Sequence, residues 1–346
     1  MDFQDTSSPT IMPTKIVGFL KMIYEGKVEQ LSVPLATFET PLWNSVKRGA
    51  LVSQKTDGIF VSVSDDGMSR SSILEAENLS DALRCKEWIE LHQKEISLAA
   101  KSTSRFAKFK EIRMENVGSL LYIRLAVTTG NAAGHNMVTA ATDEVLCFIL
   151  SQCPYMKYVS ISGNYCTDKK VSAVNGILGR GKRASAEIIV SNDICKSVLK
   201  TTPEKIADLN VKKNLIGSVL AGGVRTANAH YANILLAMYL ATGQDAANIV
   251  EASQGITFAE VRNRDLYFSV NIPNLIVGTV GNGKQFDFVL QNLELMGCNP
   301  QNPKSSERLA AAIATTVLCS ELSLMAAQTN QGELMKSHIS LERNKK

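Results

Sequence analysis

FAKFKEIRM, Phe106 to Met114, is followed after a short turn by LLYIRLAVT, Leu120 to Thr128. Both runs read as strands, and Glu115 to Gly118 supplies the turn between them. On the N-terminal side, Leu79 to Ala99 has helical periodicity, with Leu83, Trp88, Leu91 and Ile96 apolar, and Ile59 to Val63 alternates like a strand. On the C-terminal side, Asn136 to Leu150 returns to the helical period and Tyr155 to Ile161 to the strand period. The order is β-α-β-β-α-β, the ferredoxin-like split unit, over residues 58–160. Residues 161–346 have another texture, rich in Ala, Gly and Leu, with long helical patterns at Ala227 to Ala241 and Ser306 to Ala327. The expected fold class is α+β. Residues 1–57 and 161–346 form a large helical α+β domain, and residues 58–160 form a small domain inserted into it.

Composition narrows the chemistry. With 45% hydrophobic and 20% charged residues over 346 positions, the chain can bury a sizeable core and divide into two domains. A net charge of +4 is too mild a basic excess to argue for nucleic acid, although local basic clusters suit phosphorylated small molecules. Seven cysteines lie scattered without a CxxC pair, which fits a reducing compartment better than a disulfide framework or a zinc site. Four histidines include no HExxH cluster, so no metal is expected. The apolar stretch around Ala232 to Ala241 is too short to cross a bilayer, and MDFQDTSSPT lacks the apolar core of a signal peptide. A cytoplasmic protein with no membrane partner is expected.

Several segments have the residue types of a reaction centre. SGNYCTDKK, Ser162 to Lys170, sets Asp168, Lys169 and Lys170 on a small polar loop directly after a strand. A lysine beside a carboxylate stays charged when partly buried and can stabilise a developing oxyanion; the same spacing also describes a solvated turn. Asp245 in GQDAAN, Gly243 to Asn248, is either a carboxylate that tunes a neighbour or the N-cap of the helix AANIVEA. GNAAGHN, Gly130 to Asn136, follows a strand and opens a helix, offering an anion the helix N-terminus. It is not GxGxxG, so a Rossmann domain is not indicated. GTVGNGK, Gly278 to Lys284, is a glycine-rich turn of the sort that lets backbone amides approach phosphate. Arg105 in STSRFAKFK, beside hydroxyls, suits a 2′-phosphate clamp or a plain basic strand edge.

Taken in order, SGNYCTDKK, GRGK (Gly179 to Lys182), KNLIGS (Lys213 to Ser218), NAHYANI, GQDAAN, DLYFS, GTVG, ELSLMAA and KSH resemble the 3-hydroxy-3-methylglutaryl-coenzyme A reductases. The match runs from Val17 to Ser340, and DKK rather than DLR at 168–170 favours the class I type. The resemblance implies NADPH-dependent reduction of (S)-3-hydroxy-3-methylglutaryl-CoA to mevalonate and CoA, in the mevalonate pathway of isoprenoid synthesis. A non-catalytic or divergent paralogue that binds CoA esters is the alternative. It also implies a large domain that binds the acyl-CoA, an inserted small domain that binds NADPH, and a homodimer or homotetramer with active sites between subunits.

Carried over residue by residue, the resemblance makes Glu39 the catalytic acid and Lys169 the oxyanion lysine. Asp245 becomes the residue that orients both, and His338 the group that protonates the leaving thiolate. Arg70, Ser162, Asp168, Lys170, Lys213 and Asn233 would hold the substrate's carboxylate and hydroxyl, and Ser45 and Arg48 would contact CoA. Ser104, Arg105, Asn131, Gly134, Asn136 and Gly281 would form the NADPH site. The chain departs from the family pattern at Asn131, where the family has Asp, and at Thr40, where it has Gly.

Overall fold

The computed structural model of the chain describes residues 10–339, apart from the side chains of residues 336–338. A hairpin of β1 (Thr14–Tyr24) and β2 (Lys27–Ala36) leads through α1 (Pro41–Lys55) into β3 (Ile59–Glu75). Then come α2 (Leu79–Leu91), α3 (Gln93–Ser102), β4 (Phe109–Val117), β5 (Leu120–Val127), α4 (His135–Gln152) and β6 (Lys157–Ile161). The loop that follows reaches α5 (Ala173–Leu178) and β7 (Gly181–Val190). Short helices α6 (Asn192–Ile194), α7 (Pro203–Leu209) and α8 (Ser218–Leu220) alternate with π-helical stretches at Cys195–Leu199 and Asn210–Gly217. The chain closes with β8 (Thr226–Ala227), α9 (Tyr231–Ala241), α10 (Ile249–Ala252), β9 (Gly255–Arg262), β10 (Asp265–Leu275), α11 (Asp287–Leu295), α12 (Ser305–Gln328) and α13 (Glu333–His338).

This is a mixed α+β fold built on a large mixed sheet in the order β2-β1-β3-β7-β10-β9-β8. The β1–β3 and β8–β9 pairs are parallel and the other neighbours antiparallel. β3 belongs to two layers. Its residues Phe60 to Gly67 pair with β7, whereas Met68 to Glu75 pair with β5 and Ser72 to Glu75 with β6. The second set of strands has the order β4-β5-β3-β6, all antiparallel, with α2, α3 and α4 against it. Two apolar cores result. One lies around α12, α9, α1 and the large sheet; the other gathers residues such as Leu121, Ile123, Val138 and Ile149.

The helices and strands differ from the expected ones at informative places. The helix expected over Leu79–Ala99 breaks at His92, whose ring stacks on Trp88 at 4.3 Å and whose Nδ1 lies 2.8 Å from the Trp88 carbonyl. The strand expected from Phe106 begins at Phe109, because Ala107 and Lys108 turn back to the Ser104 and Phe106 carbonyls. The residues outside 58–160 carry more strand than their helical texture indicated. β7 alternates buried with more exposed positions; Lys182, Ala184, Ala186, Ile188 and Val190 are buried, and the small Ala184 and Ala186 suit the direct packing of α12 on this strand. α12 is a longer apolar segment than the stretch around Ala232 to Ala241. It has 24 residues, and an 18-residue window within it, of mean hydropathy 1.7, makes it long and apolar enough to cross a membrane; 94% of that window is buried inside the fold.

In the large core α1 and α12 approach closely. A Cβ at Gly49 would lie 2.1 Å from the Cys319 carbonyl oxygen, so the helices meet backbone to backbone. Gly49→Ala must push them apart. It is expected to destabilise the fold by about 1–3 kcal/mol, the usual cost of overpacking. A urea melt checks this: the midpoint falls with the slope unchanged.

Candidate active site

A cavity of about 600 Å³ opens where the two cores meet. β3 contributes Arg70, the start of α4 contributes Gly134, His135 and Asn136, and the loop after β6 contributes Asp168 and Lys169. Asp245 comes from the turn after α9, and Gly281 and Lys284 from the turn after β10. The last two turns are locked side by side. Gln244 donates to the Gly278 carbonyl at 3.0 Å and accepts from the Gly278 N–H at 2.9 Å. Gly243 has φ +61°, and a Cβ there would meet the Gly283 carbonyl oxygen at 2.2 Å, so both backbone angle and space require glycine.

The loop is tightly coiled. Ser162, Asn164, Thr167 and Lys169 all adopt positive φ, a conformation costing on the order of 1 kcal/mol or more per non-glycine residue unless its surroundings enforce it. It delivers the Lys169 Nζ to within 2.7 Å of Asp245 Oδ2. The other Asp245 oxygen accepts from the Ala247 N–H at 3.0 Å, so this carboxylate is at once a helical cap and a partner of lysine. Burial works against its charge, but Lys169 and the Ala247 amide outweigh it and hold its pKa below the ordinary value.

Asp168 faces the other way, toward arginines. Its Oδ1 receives Arg180 Nη1 at 2.8 Å and its Oδ2 receives Arg70 Nη1 at 3.3 Å. Burial again opposes ionisation, and Arg180, His135 and Arg70 together keep the carboxyl below its usual range. Arg70 is fixed by Thr139 Oγ1 at 3.0 Å. His135 Nε2 lies 3.9 Å from Asp168 Oδ1 and within hydrogen-bond reach of the Asn248 amide. Burial, then Arg180, pushes its pKa down. Lys284 donates to the Gly243 carbonyl, and burial lowers its pKa to about 8.

A second cavity, of about 460 Å³, is lined by Glu39, Ser45, Arg48, His230, Asn233 and Ser323 among others, and shares no lining residue with the first. Glu39 is exposed at the start of α1, where its carbonyl accepts the Leu42 N–H. Ser45 and Arg48 project from α1 onto α12. Ser45 donates to the Ser320 carbonyl at 3.4 Å and Arg48 Nε donates to Ser323 Oγ at 2.9 Å. Beneath the cavity floor, Glu321 of α12 is fully buried. It accepts from the Ala229 and His230 N–H groups at 2.6 and 3.1 Å and from Thr257 Oγ1 at 2.9 Å. Burial raises the Glu321 pKa, lowers that of Lys213, and pushes His230 to about 4.

The residues read from the sequence are thus dispersed. Arg70, Asp168, Lys169, Asp245, Gly134, Asn136 and Gly281 share the first cavity, and Glu39, Ser45, Arg48 and Asn233 the second. Ser162 and Lys170 are exposed on the loop, with Lys170 Nζ donating to the Asp168 carbonyl at 3.1 Å. Asn131 ties the α4 approach to the large core, donating to the Pro300 and Asn302 carbonyls and accepting from the Ser306 N–H. Ser104 and Arg105 sit on the turn before β4, with Arg105 over the Phe106 ring at 4.7 Å. The His338 side chain lies outside the described residues. Arg180, Glu251, Glu321, His135 and Lys284 were not singled out in the sequence. A lone carboxylate within the apolar α12 pattern was the signal for Glu321.

The profile of the family described as hydroxymethylglutaryl-coenzyme A reductase matches residues 10–343. The chain belongs to the hydroxymethylglutaryl-coenzyme A reductase family. It is 42% identical over 333 residues to the reductase of Methanothermobacter thermautotrophicus, covering 96% of this chain and 83% of that protein. It is 41% identical over 336 residues to 3-hydroxy-3-methylglutaryl-coenzyme A reductase 2 of Dictyostelium discoideum, covering 95% of this chain. The match spans 63% of the length of that amoebal relative. In fold it is similar to the class II reductase of Streptococcus pneumoniae solved bound to NADPH, with a TM-score of 0.75 and 17% identity over 94% of this chain and 87% of that one. Members of the hydroxymethylglutaryl-coenzyme A reductase family are oxidoreductases, which gives the Lys169–Asp245 pair a chemical context.

Proposed function

We propose that this chain reduces (S)-3-hydroxy-3-methylglutaryl-CoA to mevalonate and CoA with NADPH, in the cytoplasm, as a step of the mevalonate pathway. The observation that carries the reading is the Lys169 ammonium, held 2.7 Å from Asp245 in a cavity also lined by Arg70 and Lys284, in a member of a reductase family. That cavity fits a dinucleotide. The N-cap of α4, Gly134, gives its N–H groups no side-chain partner, and Gly281, at φ +97°, has nothing within 4 Å of a would-be Cβ. A phosphate can approach both backbones closely.

Residues 58–160 are the small NADPH-binding domain, and residues 1–57 and 161–346 the large acyl-CoA-binding domain. The antiparallel order β4-β5-β3-β6 supports a ferredoxin-like reading of the small one. Gly134, Asn136 and Gly281 hold the cofactor's phosphates, with Asn131 shaping the turn before them. Arg105 and Ser104 meet the 2′-phosphate; Phe106, beside Arg105, packs against Gly130 at the mouth of that same turn. Asp168-Lys169-Lys170 supports the class I type, and the likeness to the class II structure is one of fold.

Bound NADPH supplies the hydride for each reduction. Reduction of the thioester carbonyl builds negative charge on oxygen, and the Lys169 ammonium, oriented by Asp245, meets it. Arg70, Ser162, Asp168, Lys170, Lys213 and Asn233 hold the substrate's carboxylate and hydroxyl, and Ser45 and Arg48 contact CoA. His338 protonates the departing thiolate, and Glu39 supplies the proton for the aldehyde step. Because Glu39 and Lys169 line separate cavities, the chain works as a homodimer or a dimer of dimers, in which the second cavity of one copy faces the first cavity of its partner.

The purified protein is expected to oxidise NADPH only when HMG-CoA is added, releasing CoA thiol, and to prefer NADPH over NADH. Arg105→Ser should raise the KM for NADPH and leave NADH use nearly unchanged. Equal use of both cofactors by the parent removes Arg105 from the site; no substrate-dependent oxidation removes the function.

A further inference from the structure

We propose that Glu251 is a positioning residue for Lys169, holding the loop from beneath in the coil that carries the lysine ammonium to the cavity. Glu251 lies on α10 and is fully buried. Its Oε1 accepts the Lys169 N–H at 3.2 Å and Arg180 Nη1 at 2.9 Å. The same Arg180 nitrogen donates to Asp168 Oδ1 at 2.8 Å. The other oxygen, Oε2, accepts Asn175 Nδ2 at 3.2 Å, and that amide also donates to the Cys166 and Thr167 carbonyls at 2.9 and 3.3 Å. One carboxylate therefore reaches every residue from Cys166 to Lys169, directly or through a single intermediary.

The arrangement answers a need set by the backbone. Thr167 and Lys169 have φ of +43° and +57°, and nothing in their own side chains favours that region. The loop keeps its shape because external partners hold its amides and carbonyls, and Glu251 is where those partners converge. The placement is costly for a charge. Burial pushes the Glu251 carboxyl up to about 7, against the opposing pull of Arg180 and the Lys169 amide, while Asp168 adds to the rise. From α9, Tyr239 also faces it, its hydroxyl raised by burial and by Glu251 itself. As pH falls through about 7 the carboxylate takes up a proton, and its ion pair with Arg180 and its hold on the Lys169 N–H weaken. Turnover should fall on the acid side for this reason.

This inference rests on the catalytic role proposed for Lys169, so its test carries a readout independent of turnover. Glu251→Ala is expected to lower kcat by about 10²-fold, the scale of an ångström-sized misplacement, with KM for acyl-CoA and NADPH within a few-fold of the parent. The Lys169 amide should exchange faster with deuterium in the same variant. Glu251→Gln keeps the shape and an acceptor oxygen but is neutral at every pH, as the protonated carboxyl is; its kcat should match the parent's acid-side level across the pH range and show no acid limb. Should Glu251→Ala fail to fold, because Arg180 is left buried beside one partner fewer, Glu251→Gln carries the test through its pH profile. Parental kcat and KM in a merely less stable Glu251→Ala, or an acid limb unchanged in Glu251→Gln, overturns the proposal. If the parent itself does not turn over HMG-CoA, the functional reading falls. Lys169 amide exchange then decides the positioning role alone: faster in Glu251→Ala supports it, unchanged refutes it.

Discussion

Lys169→Ala is expected to lose about 10²–10³ in kcat, the cost of removing one preorganised electrostatic donor, while its affinity for acyl-CoA measured by calorimetry stays near that of the parent. The split between turnover and binding follows from the geometry. Lys169 reaches into the cavity and is held by Asp245 at 2.7 Å, so its charge is aimed before substrate arrives. Lys170 turns back to the Asp168 carbonyl and does not line the cavity. Lys170 is proposed to help hold the substrate's carboxylate and hydroxyl, so Lys170→Ala should mainly weaken binding. A Lys169→Ala enzyme with kcat within a few-fold of the parent would remove the central group from the mechanism and favour a chain that only binds CoA esters.

Mixing two dead proteins should restore activity. Glu39→Ala and Lys169→Ala each remove one half of the proposed site, and the two residues line separate cavities of a single chain. In a two-fold dimer the mixed species has one site with both residues missing and one with both intact. After subunit exchange by mild denaturation and refolding, the mixture should recover about a quarter of the parent's rate, since half the dimers are mixed and half of their sites are whole. No recovery, in a mixture shown by mass spectrometry to contain the mixed dimer, would mean that Glu39 and Lys169 serve the same subunit's site or no common site.

Much of this site was legible because its residues sit where local sequence has a grammar. SGNYCTDKK follows a strand, GNAAGHN opens a helix, and Asp245 caps one, and each contributes to the first cavity. The hairpin of β4 and β5 was legible too, since two apolar-rich runs are separated by the short turn around Glu115 to Gly118. The large sheet was not. In β7 the buried positions Lys182, Ala184 and Ala186 do not mark a buried face as Ile188 and Val190 do, and the strand reads as part of a helical, alanine-rich region. The supporting carboxylates were hidden differently. Glu251 looks like an ordinary charge on a helix and Glu321 is a lone carboxylate in an apolar pattern, but only the tertiary structure buries one against Arg180 and the other against the amides of Ala229 and His230. Nor does sequence order reveal that Glu39 and Lys169 open on different cavities, because that separation is a property of three-dimensional packing.

The shared strand β3 makes the first cavity a measured object. Its register with β7 in the large sheet is set at Phe60 opposite Glu187, and its register with β5 is set at Arg70 opposite Leu125. The two pairings lie on one uninterrupted chain, so β3 acts as a ruler whose zero mark is in one core and whose reading, the position of Arg70, is taken in the other. A strand turns over with each residue. Deleting one residue between Phe60 and Asp66 would thus not simply shorten the ruler; to keep both cores in register it would have to bulge or invert, swapping Arg70 with its buried neighbours Ser69 and Ser71. The number of residues between the two sheets is part of the specification of the first cavity, although none of those counted residues lines it.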